Sequence, residues 1–333
     1  MKLIIPMAGR GKRMRPHTLT TAKPLIPVAG KSIVHWLIED IAAMTDEPID
    51  EVGFVIGDFG AEVEAQLLAI ADQIGAKGRI FYQEEALGTG HAILCAKECL
   101  QGEVIVAFAD TLFRSDFRLD RSKDGVIFVH QVANPEQFGV VKYNQDGVIT
   151  DFVEKPTEFV SDLAIIGIYY FKSGETLNAE LQYLIDNDIK EKGEYQLTNA
   201  MENMKQKGMQ FMPGKVDEWL DCGNYAATVY TNQRVLENKK EQFGLTPGRF
   251  PEHVQIVEPC YIAEGVELSH CQIGPHVAIG KGSKLQHCNI SNSILLNECN
   301  LTHFQCQDSM IGNQVSIDGR SQVYSIGDFS SQG

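Results

Sequence analysis

The chain has 333 residues, of which 44% are hydrophobic and 22% charged, and a formal net charge of −15. This composition is ordinary for a globular protein and the length suffices for two domains, while the negative charge argues against general binding of nucleic acid or an anionic membrane surface. No apolar run approaches the ~18 residues of a membrane-spanning helix, and the start, Met-Lys-Leu-Ile-Ile, does not read as a signal peptide.

The eight cysteines include no Cys-x-x-Cys pair, which argues against the common zinc and thioredoxin motifs. Reduced thiols in a cytoplasmic protein are the simplest interpretation. We therefore expect a cytoplasmic location and no disulfides.

The first 24 residues are basic although the whole chain is acidic. Residues 3–6 predict a short buried strand that runs into a glycine-bearing loop, and the first acidic residue is Glu39. The basic residues that precede it are Lys2, Arg10, Lys12, Arg13, Arg15, Lys23 and Lys31. Such a loop suits a polyphosphate, because glycines let backbone N–H groups approach the anion and arginines neutralise its oxygens. Taken alone, it is also compatible with a solvated basic turn.

Two common phosphate loops do not match this segment. The Walker pattern G-x-x-x-x-G-K-[ST] is absent, and Met14 stands where the dinucleotide pattern G-x-G-x-x-G requires its third glycine. The loop would have to belong to another class of phosphate site.

Up to about residue 235, strand and helix patterns alternate. Ser32 is a candidate N-cap for a helix with apolar residues at helical spacing. The other predicted strands are 52–56, 79–83, 104–109, 126–132, 138–143, 148–153, 164–171 and 209–220, and the other helices are 62–74, 89–100, 174–187, 195–207 and 224–238. Asp146-Gly147 between two strands indicates a hairpin.

This alternation predicts an open, mostly parallel, Rossmann-like α/β sheet. Ligands in such sheets bind beyond the C-terminal ends of the strands. The 8–18 loop, residues 83–90 and Asp110 all follow predicted strands.

Beyond residue 252 the pattern changes to a hexapeptide repeat. Aliphatic residues recur every five or six positions at Ile262, Leu268, Ile273, Ile279, Leu285, Ile290, Leu296 and Leu301. Leu-Ser-His-Cys-Gln-Ile at 268–273 returns as Leu-Gln-His-Cys-Asn-Ile at 285–290. Such repeats predict a short left-handed parallel β-helix of about three coils. The predicted domains are thus 1–238, a linker at 239–252, and a β-helix at 253–330.

Several spaced motifs in residues 1–235 together resemble one family. They are Gly9-x-Gly11-x-Arg13-Met14-x-Pro16-x-Thr18, Lys23-Pro24-Leu25-Ile26-Pro27, Gln83 with Leu87-Gly88-Thr89, Phe108-Ala109-Asp110, Phe138-Gly139-Val140, Val153-Glu154-Lys155-Pro156, and Trp219-Leu220-Asp221-Cys222-Gly223. This series resembles the sugar-1-phosphate nucleotidylyltransferases, and most of all the glucose-1-phosphate thymidylyltransferases. A β-helix tail is familiar among longer members.

The resemblance implies that a sugar phosphate attacks the α-phosphorus of a nucleoside triphosphate and that pyrophosphate leaves. Because two anions must meet, the site needs cations at several places. Arg13 is expected to hold the triphosphate, and by resemblance Lys23 assists at the α-phosphate and Lys155 binds the sugar phosphate. The expected cofactor is Mg²⁺, for which Asp110 and Asp221 would supply two carboxylates.

The remaining site residues divide by substrate. The expected nucleotide contacts are Ala8, Gly9, Gly11, Lys12, Gln83 and Gly88, and the expected sugar-phosphate contacts are Gly139, Glu154, Lys155 and Tyr169, with Gly167 and Glu194 as weaker candidates. The Gln83 amide can donate and accept, which matches the O4 and N3–H edge of thymine or uracil. We therefore favour dTTP or UTP as the nucleotide, with a slight preference for dTTP, and the resemblance implies glucose 1-phosphate as the acceptor.

Each site residue also has a plain structural interpretation. Asp110 could be an N-cap, Asp221 a surface turn, Lys155 a solvated strand exit and Gln83 a polar strand end. The joint occurrence of the motifs in order favours the functional interpretation.

Two alternatives remain open at the level of the sequence. The β-helix could carry an acyltransferase, with the repeated histidines His270, His287 and His303 near one corner, although repeated surface residues explain them as well. The chain could also be a regulatory sensor that binds nucleotide sugars without turnover. A homo-oligomer is expected, because the ends and faces of a solenoid tend to associate with other copies of the chain.

Overall fold

The computed structural model describes residues 1–9, 11–246 and 248–320. Arg10 of the basic loop and the last ten residues of the predicted β-helix domain, 321–330, therefore lie outside the described residues. The chain forms two compact units, one made of residues 1–26 and 31–224 and the other of residues 27–30 and the chain from residue 225 onward.

Thirteen strands and five helices precede residue 225. The strands are β1 (Lys2–Pro6), β2 (Pro27–Val28), β3 (Lys31–Ser32), β4 (Glu51–Ile56), β5 (Lys77–Tyr82), β6 (Val104–Ala107), β7 (Thr111–Arg114), β8 (Gly125–Gln131), β9 (Gly139–Tyr143), β10 (Ile149–Glu154), β11 (Leu163–Phe171), β12 (Phe211–Lys215) and β13 (Glu218–Asp221). The helices are α1 (Ile33–Met44), α2 (Ala61–Gln73), α3 (Thr89–Cys95), α4 (Gly174–Asp186) and α5 (Leu197–Gln206).

A nine-stranded mixed sheet organises the first unit. Strands β6, β1, β4 and β5 are parallel neighbours in that order, as the alternating pattern predicts. Leu3, Ile4 and Ile5 of β1 are completely buried, which is typical of a parallel strand covered on both faces. Strand β11 runs antiparallel to β6 and joins this block to β8, β9 and the β9–β10 hairpin that Asp146-Gly147 predicted.

The predicted helix start at Ser32 is confirmed. The Ser32 hydroxyl accepts a hydrogen bond from the His35 N–H, which satisfies one of the free donors of the first turn of α1. The apolar side of α1, which includes Trp36 and Ile41, is buried in the unit.

Two predicted elements differ from the structure. The helix predicted at 89–100 ends at Cys95, because Ala96 leaves helical geometry and a single 3₁₀ turn follows. The strand predicted at 209–220 is two strands in different sheets. Strand β12 pairs with β8, whereas β13 pairs with β7 in a separate two-stranded ribbon, and Asp217 between them turns the chain.

The second unit combines one helix with a parallel β-helix. Helix α6 (Tyr225–Asn238) precedes the short strands β14 (Gln255–Ile256), β15 (Tyr261–Ile262), β16 (Glu267–Ser269), β17 (Gln272–Ile273), β18 (Ala278–Ile279), β19 (Lys284–Gln286), β20 (Asn289–Ser291), β21 (Ile294–Leu295), β22 (Asn300–Thr302), β23 (Gln305–Gln307), β24 (Met310–Ile311) and β25 (Ser316–Asp318). Every third strand belongs to the same parallel sheet, so the twelve strands form three sheets of four.

This arrangement confirms the predicted left-handed β-helix, with one coil more than expected. Gln255 pairs with Gln272 and Gln272 with Asn289, which is the repeat of 17 residues seen in the sequence. The next coil, from Asn289 to Gln305, is one residue shorter. The additional strands are β14, which precedes the first aliphatic residue of the predicted repeat, and β23, β24 and β25, which follow its last residue, Leu301.

Inward aliphatic residues form the core of the β-helix. Ile273, Ile279, Ile290 and Leu301 are fully buried and stack along the coil. None of the eight cysteines, all within the described ranges, forms a disulfide. No helix in the described part of the chain is long and apolar enough to cross a membrane.

Candidate active site

A cleft of about 430 Å³ opens in the first unit, where β1, β5 and β6 end. Nine of the predicted site residues line it: Ala8, Gly9, Gly11, Lys12, Arg13, Lys23, Gln83, Gly88 and Asp110. The C-terminal edge of the parallel strands is thus the place where these segments meet, as the fold class predicts.

The basic loop that follows β1 is anchored by its own backbone. Gly11 has φ +56°, and a Cβ on it would lie 2.9 Å from the Lys23 Cβ. Its carbonyl accepts hydrogen bonds from the Met14 N–H at 2.9 Å and from the Thr18 hydroxyl at 2.8 Å. Met14 is fully buried below the loop, whereas Lys12 and Arg13 are exposed. Any other residue at position 11 would have a strained backbone conformation, and its Cβ would clash with the Lys23 side chain.

The β7–β13 ribbon brings the two predicted carboxylates together. Asp221 is the register partner of Thr111, the residue after Asp110, and the Cys222 N–H donates to the Asp110 carbonyl at 2.9 Å. Burial, and after it the negative charge of Asp110, raise the pKa of Asp221. The Gly223 N–H, which donates to Asp221 Oδ1 at 2.8 Å, acts in the opposite direction, as do the charges of Lys23 and Arg13.

Lys23 is the buried cation of this group. Its Nζ lies 2.9 Å from Asp110 Oδ2, and its side chain is only 10% exposed. Arg13 approaches from the other side, because a Cβ on Gly223 would lie 3.3 Å from Arg13 Nη2. Two cations and two carboxylates therefore lie close together. Arg13, Lys23 and Asp110 line the cleft, whereas Asp221 is not a lining residue and adjoins one, Gly223.

The carboxylates of Asp110 and Asp221 suit Mg²⁺, which shares its ligands with substrate and water, better than a metal ion that is bound by protein side chains alone. Within the described ranges, no group of three or more His, Cys, Asp or Glu side chains could hold a metal ion. Mg²⁺ commonly uses one or two carboxylates and completes its shell with substrate phosphates and water. The mutual repulsion of Asp110 and Asp221 is the kind of strain that a divalent cation relieves.

The opposite end of the cleft is formed by Gln83 and Gly88. Gln83 Nε2 donates to the Gly88 carbonyl at 3.1 Å. Gly88 has φ +111°, and a Cβ on it would lie 2.5 Å from the Tyr195 carbonyl oxygen. Gly88 is therefore required by its backbone conformation and by its close contact with the segment that begins at Glu194.

That segment adds the carboxylate of Glu194, which was expected from the sequence only as a weaker candidate for the sugar side. Glu194 lines the cleft beside Gly88, while the Leu197 N–H at the start of α5 donates to the Thr89 hydroxyl at 3.1 Å. The Tyr195 N–H also donates to the Leu87 carbonyl at 2.8 Å. Glu194 thus lies at the Gln83 end of the cleft, a position that its distance along the chain does not reveal.

The predicted sugar-phosphate residues form a neighbouring group outside the lining of the cleft. A Cβ on Gly139 would lie 2.9 Å from Glu154 Oε2, so this glycine makes room for the carboxylate. Lys155 follows with φ +46° and a side chain that is 60% exposed, 3.9 Å from the Glu154 carboxylate. Lys155 Nζ is free to extend into solvent because that ion pair is long and exposed.

Tyr169 is a core residue rather than an open ligand of the cleft. Its side chain is 7% exposed and stacks on Phe171, with 6.4 Å between the ring centroids. Its other neighbour is Phe108, a lining residue of the cleft, which packs edge to face at 6.1 Å. Burial, and then the charge of Glu154, raise the pKa of Tyr169. The geometry gives Tyr169 a packing role between the two groups, and its role as a sugar ligand stays a prediction.

The repeated histidines of the second unit form a continuous column. His270, His287 and His303 stack with ring centroids 4.8 Å apart, and His253, which the repeat did not include, extends the column at 4.3 Å. The described copies at 270, 287 and 303 all have φ near +50°. The column lies in a shallow groove beside Gln255, Gln272, Asn289 and Gln305.

Comparisons with known proteins agree with this geometry. A family model described as nucleotidyl transferase matches residues 2–238. A glucose-1-phosphate thymidylyltransferase of Streptomyces antibioticus is 28% identical, over 95% of this chain and 93% of that protein. The bifunctional protein GlmU of Methanococcus vannielii is 30% identical over 80% of this chain, but the match spans only 62% of that protein.

A solved structure shares the fold. A Bacillus anthracis protein described as a glucose-1-phosphate thymidylyltransferase, in complex with sucrose, superposes with a TM-score of 0.58 over 70% of this chain and 94% of its own. At 22% identity, this likeness concerns the fold.

Proposed function

The chain belongs to the nucleotidyl transferase family, and from that premise we propose that it transfers a nucleoside monophosphate from dTTP or UTP to glucose 1-phosphate. The general activity, transfer of a nucleotide to a sugar phosphate, follows from the family and its relatives. The nucleotide and the sugar are our proposal.

In the proposed reaction a phosphate oxygen of the sugar phosphate attacks the α-phosphorus of the nucleotide. The bond from the α-phosphorus to the α,β-bridging oxygen breaks, and pyrophosphate leaves with the electron pair of that bond. The attacking phosphate is already ionised at neutral pH, so the protein need not supply a general base. Its task is to hold two anions together and to stabilise the charge that develops on the leaving group.

The arrangement of Lys23, Asp110 and Asp221 at the edge of the cleft carries this proposal. A cation 2.9 Å from one carboxylate, beside a second carboxylate with a raised pKa, suits a site where phosphate and a divalent ion meet. Lys23 is assigned to the α-phosphate, and Arg13 with the backbone of Gly9, Gly11 and Lys12 to the β- and γ-phosphates.

Asp110 and Asp221 are the residues that would hold Mg²⁺. When bound, the ion neutralises phosphate charge and orients the triphosphate for in-line attack. The chain itself contributes the ribbon that fixes the two carboxylates side by side and the Gly223 N–H that orients Asp221.

The acceptor side of the proposal rests on Lys155 and Glu154. Lys155 would bind the phosphate of the sugar as a mobile point charge, and Glu154 would accept hydrogen bonds from sugar hydroxyls in the space that Gly139 leaves. Ala8 and Gly88 complete the nucleotide side of the cleft. The relative from Streptomyces antibioticus, whose name gives glucose 1-phosphate and a thymidylyl group, supports this choice.

A competition assay tests the substrates. The purified chain would receive equimolar dTTP, UTP, dCTP and GTP together with glucose, mannose or N-acetylglucosamine 1-phosphate, and the nucleotide sugars formed would be identified by mass. We expect dTDP- or UDP-glucose to dominate. Equal use of all four nucleotides, or products with mannose alone, would overturn the proposed specificity.

A second activity in the tail has two observations in its favour. The similarity to bifunctional GlmU proteins covers 80% of this chain, and the second unit carries the histidine column. An acyltransferase would require acyl transfer from acetyl-CoA to an amino sugar phosphate. An assay of free CoA release by the intact chain separates this candidate from a tail that serves assembly or regulation.

A regulatory subunit without turnover is the remaining alternative. Arg13, Lys23, Asp110, Lys155 and Asp221 are all present, which speaks for an active enzyme. Nucleotide binding without product formation would favour the sensor.

The remaining parts of the proposal are a homo-oligomer, a cytoplasmic location and the predicted domain limits, 1–238, 239–252 and 253–330.

A further inference from the structure

His91 contacts the predicted base-reading residue and has no part in the function described above. It lies on the first turn of α3, and its Nδ1 is 3.1 Å from Gln83 Nε2. The same Nε2 atom is 3.1 Å from the Gly88 carbonyl oxygen. Gln83 itself lines the cleft directly after β5.

The Gly88 carbonyl determines which way the Gln83 amide is turned. A carbonyl oxygen has no hydrogen, so the atom that faces it must be the amide nitrogen, whatever the nominal assignment of N and O. The Gly88 carbonyl is fixed in turn, because it also accepts the Ala92 N–H at 3.1 Å at the start of α3.

The second hydrogen of Gln83 Nε2 then points to His91. Nδ1 must accept it, which requires a neutral imidazole that carries its own hydrogen on Nε2. Burial lowers the pKa of His91, with the charge of Glu85 as a weaker opposing effect, and therefore favours the neutral ring. Both N–H groups of the amide are thus used inside the protein. Gln83 therefore has no N–H left for O4 of the base, which corrects the expectation from the sequence that its amide both donates to and accepts from the base.

What remains for a ligand is an acceptor. Gln83 Oε1 has no hydrogen bond to any other residue in the described part of the chain. A base that meets Oε1 must bring an N–H. Uracil and thymine have N3–H at this edge, whereas cytosine has an acceptor at N3 and its donor, the N4 amino group, in the place of O4. An oxygen held opposite position 3 of the base therefore binds uracil and thymine and repels cytosine.

We propose that His91 is a positioning residue for nucleotide choice, which holds the Gln83 amide so that its oxygen selects the N3–H of uracil or thymine against cytosine. This rests on the proposed function, because it assumes a nucleoside triphosphate in the cleft. Reversal of the amide would place Oε1 against the Gly88 carbonyl and would require the hydrogen of the His91 ring to move from Nε2 to Nδ1. His91 thus adds a second hydrogen bond that fits the orientation set by Gly88.

The test compares two substitutions of His91 in the full chain. His91→Leu removes the acceptor at similar size, and His91→Asn retains one, since Asn Oδ1 can occupy the place of Nδ1. Kinetics with dTTP, UTP and dCTP and glucose 1-phosphate would be measured for each, with the thermal midpoint as a check of folding. The wild-type chain serves as the reference.

We expect His91→Leu to raise KM for dTTP and UTP about fivefold to tenfold at nearly unchanged kcat, as loss of one hydrogen bond in ground-state binding predicts. The ratio of kcat/KM for dTTP over dCTP should fall by a similar factor, and His91→Asn should keep both values within about twofold. An unchanged ratio in a folded His91→Leu, or an equal loss in His91→Asn, would overturn the inference.

The outcomes also separate this inference from the proposed function. If the wild-type chain uses none of these nucleotides, the proposed function fails. If the wild-type chain is active and selective while His91→Leu keeps that selectivity, only the role of His91 fails. If His91→Leu does not fold, His91→Gln takes its place. The longer Gln side chain also carries an acceptor, but not at the position of Nδ1. An unchanged ratio of kcat/KM for dTTP over dCTP in His91→Gln would contradict the inference equally.

Discussion

Lys23 Nζ lies 2.9 Å from Asp110 Oδ2, and the lysine side chain is buried while the carboxylate is 41% exposed. The pair places a positive charge at the wall of the cleft and leaves the second carboxylate oxygen on the open side. Asp221 stands beside Asp110 in the ribbon, and Lys23 and Arg13 are the two cations near this pair. The pKa of Asp221 is raised in spite of both, because burial and the charge of Asp110 prevail, and such a site favours an additional cation.

Lys23→Met should therefore impair the reaction more than the fold. We expect kcat to fall about 10²- to 10³-fold, as removal of one group that stabilises transition-state charge does elsewhere. The free energy of unfolding should change by about 1 kcal/mol, since water screens the exposed carboxylate. Steady-state kinetics and denaturant unfolding measure the two effects.

Lys31→Met is the matched control for Lys23. Lys31 also pairs with a carboxylate, Glu39, at 2.7 Å, but outside the residues that line the cleft. Its kcat should remain within about twofold of wild type, as for a surface pair. Equal values of kcat for the two variants would remove Lys23 from the reaction.

Asp221→Asn should lower activity and raise stability at the same time. Burial and Asp110 raise the pKa of Asp221, so the folded state holds this proton more tightly than the unfolded state does. The resulting contribution to stability is present at low pH and is lost as pH rises through the range between the unfolded and folded pKa values. The neutral amide avoids that loss, so the metal-free variant should melt at a higher temperature than wild type at pH 7.

Asp221→Asn also tests whether Asp221 binds Mg²⁺. Mg²⁺ that binds the folded state should raise the melting temperature of the wild type in the presence of nucleotide, and this rise should shrink in Asp221→Asn and Asp110→Asn. Turnover should fall by about two or three orders of magnitude in both. Asp116→Asn, an exposed carboxylate of the same unit, is the control. A full Mg²⁺ response in Asp221→Asn would exclude it as a ligand.

Lys155→Met should raise KM for glucose 1-phosphate with little change in KM for the nucleotide. The expected increase is about tenfold or more, because a charge-assisted contact to phosphate is lost. Methionine is unbranched and adds little to the cost of φ +46° at this position. Lys142→Met, on the neighbouring strand β9 and also exposed, should leave both KM values unchanged. An increase in KM for the nucleotide alone would show that Lys155 acts on the nucleotide and not on the sugar phosphate.

His287→Val should destabilise the second unit more than His287→Asn. Both variants interrupt the histidine column, but only valine is poorly suited to φ +52°. We expect a difference of about 1–2 kcal/mol in the free energy of unfolding, measured by denaturant titration. Equal stability of the two variants would show that the stack, and not the backbone, determines the choice of residue here.

The sequence predicted most of the first unit because its elements carry local signals. Buried apolar runs marked β1 and β6, Ser32 marked the start of α1, and Asp146-Gly147 marked the hairpin. The order of the motifs also pointed to the cleft residues, since parallel strands end at one edge.

What the sequence did not predict depends on contacts between distant segments. The pairing of β7 with β13, which joins Asp110 to Asp221, is set by tertiary packing, and the nearest proline and glycine to the change of sheet at Asp217, Pro213 and Gly214, lie inside β12. His91 was missed because a single histidine on a helix usually signals packing. His253 and strand β14 were missed because the start of a repeat lacks the full pattern.

Pyrophosphate release by the purified chain with dTTP, glucose 1-phosphate and Mg²⁺ tests the central claim most directly. We expect continuous release that stops when either substrate or Mg²⁺ is omitted, and that falls by about two or three orders of magnitude when Asp221 is replaced by asparagine. Release from dTTP alone at the same rate, or none with any nucleotide and sugar phosphate combined, would contradict it.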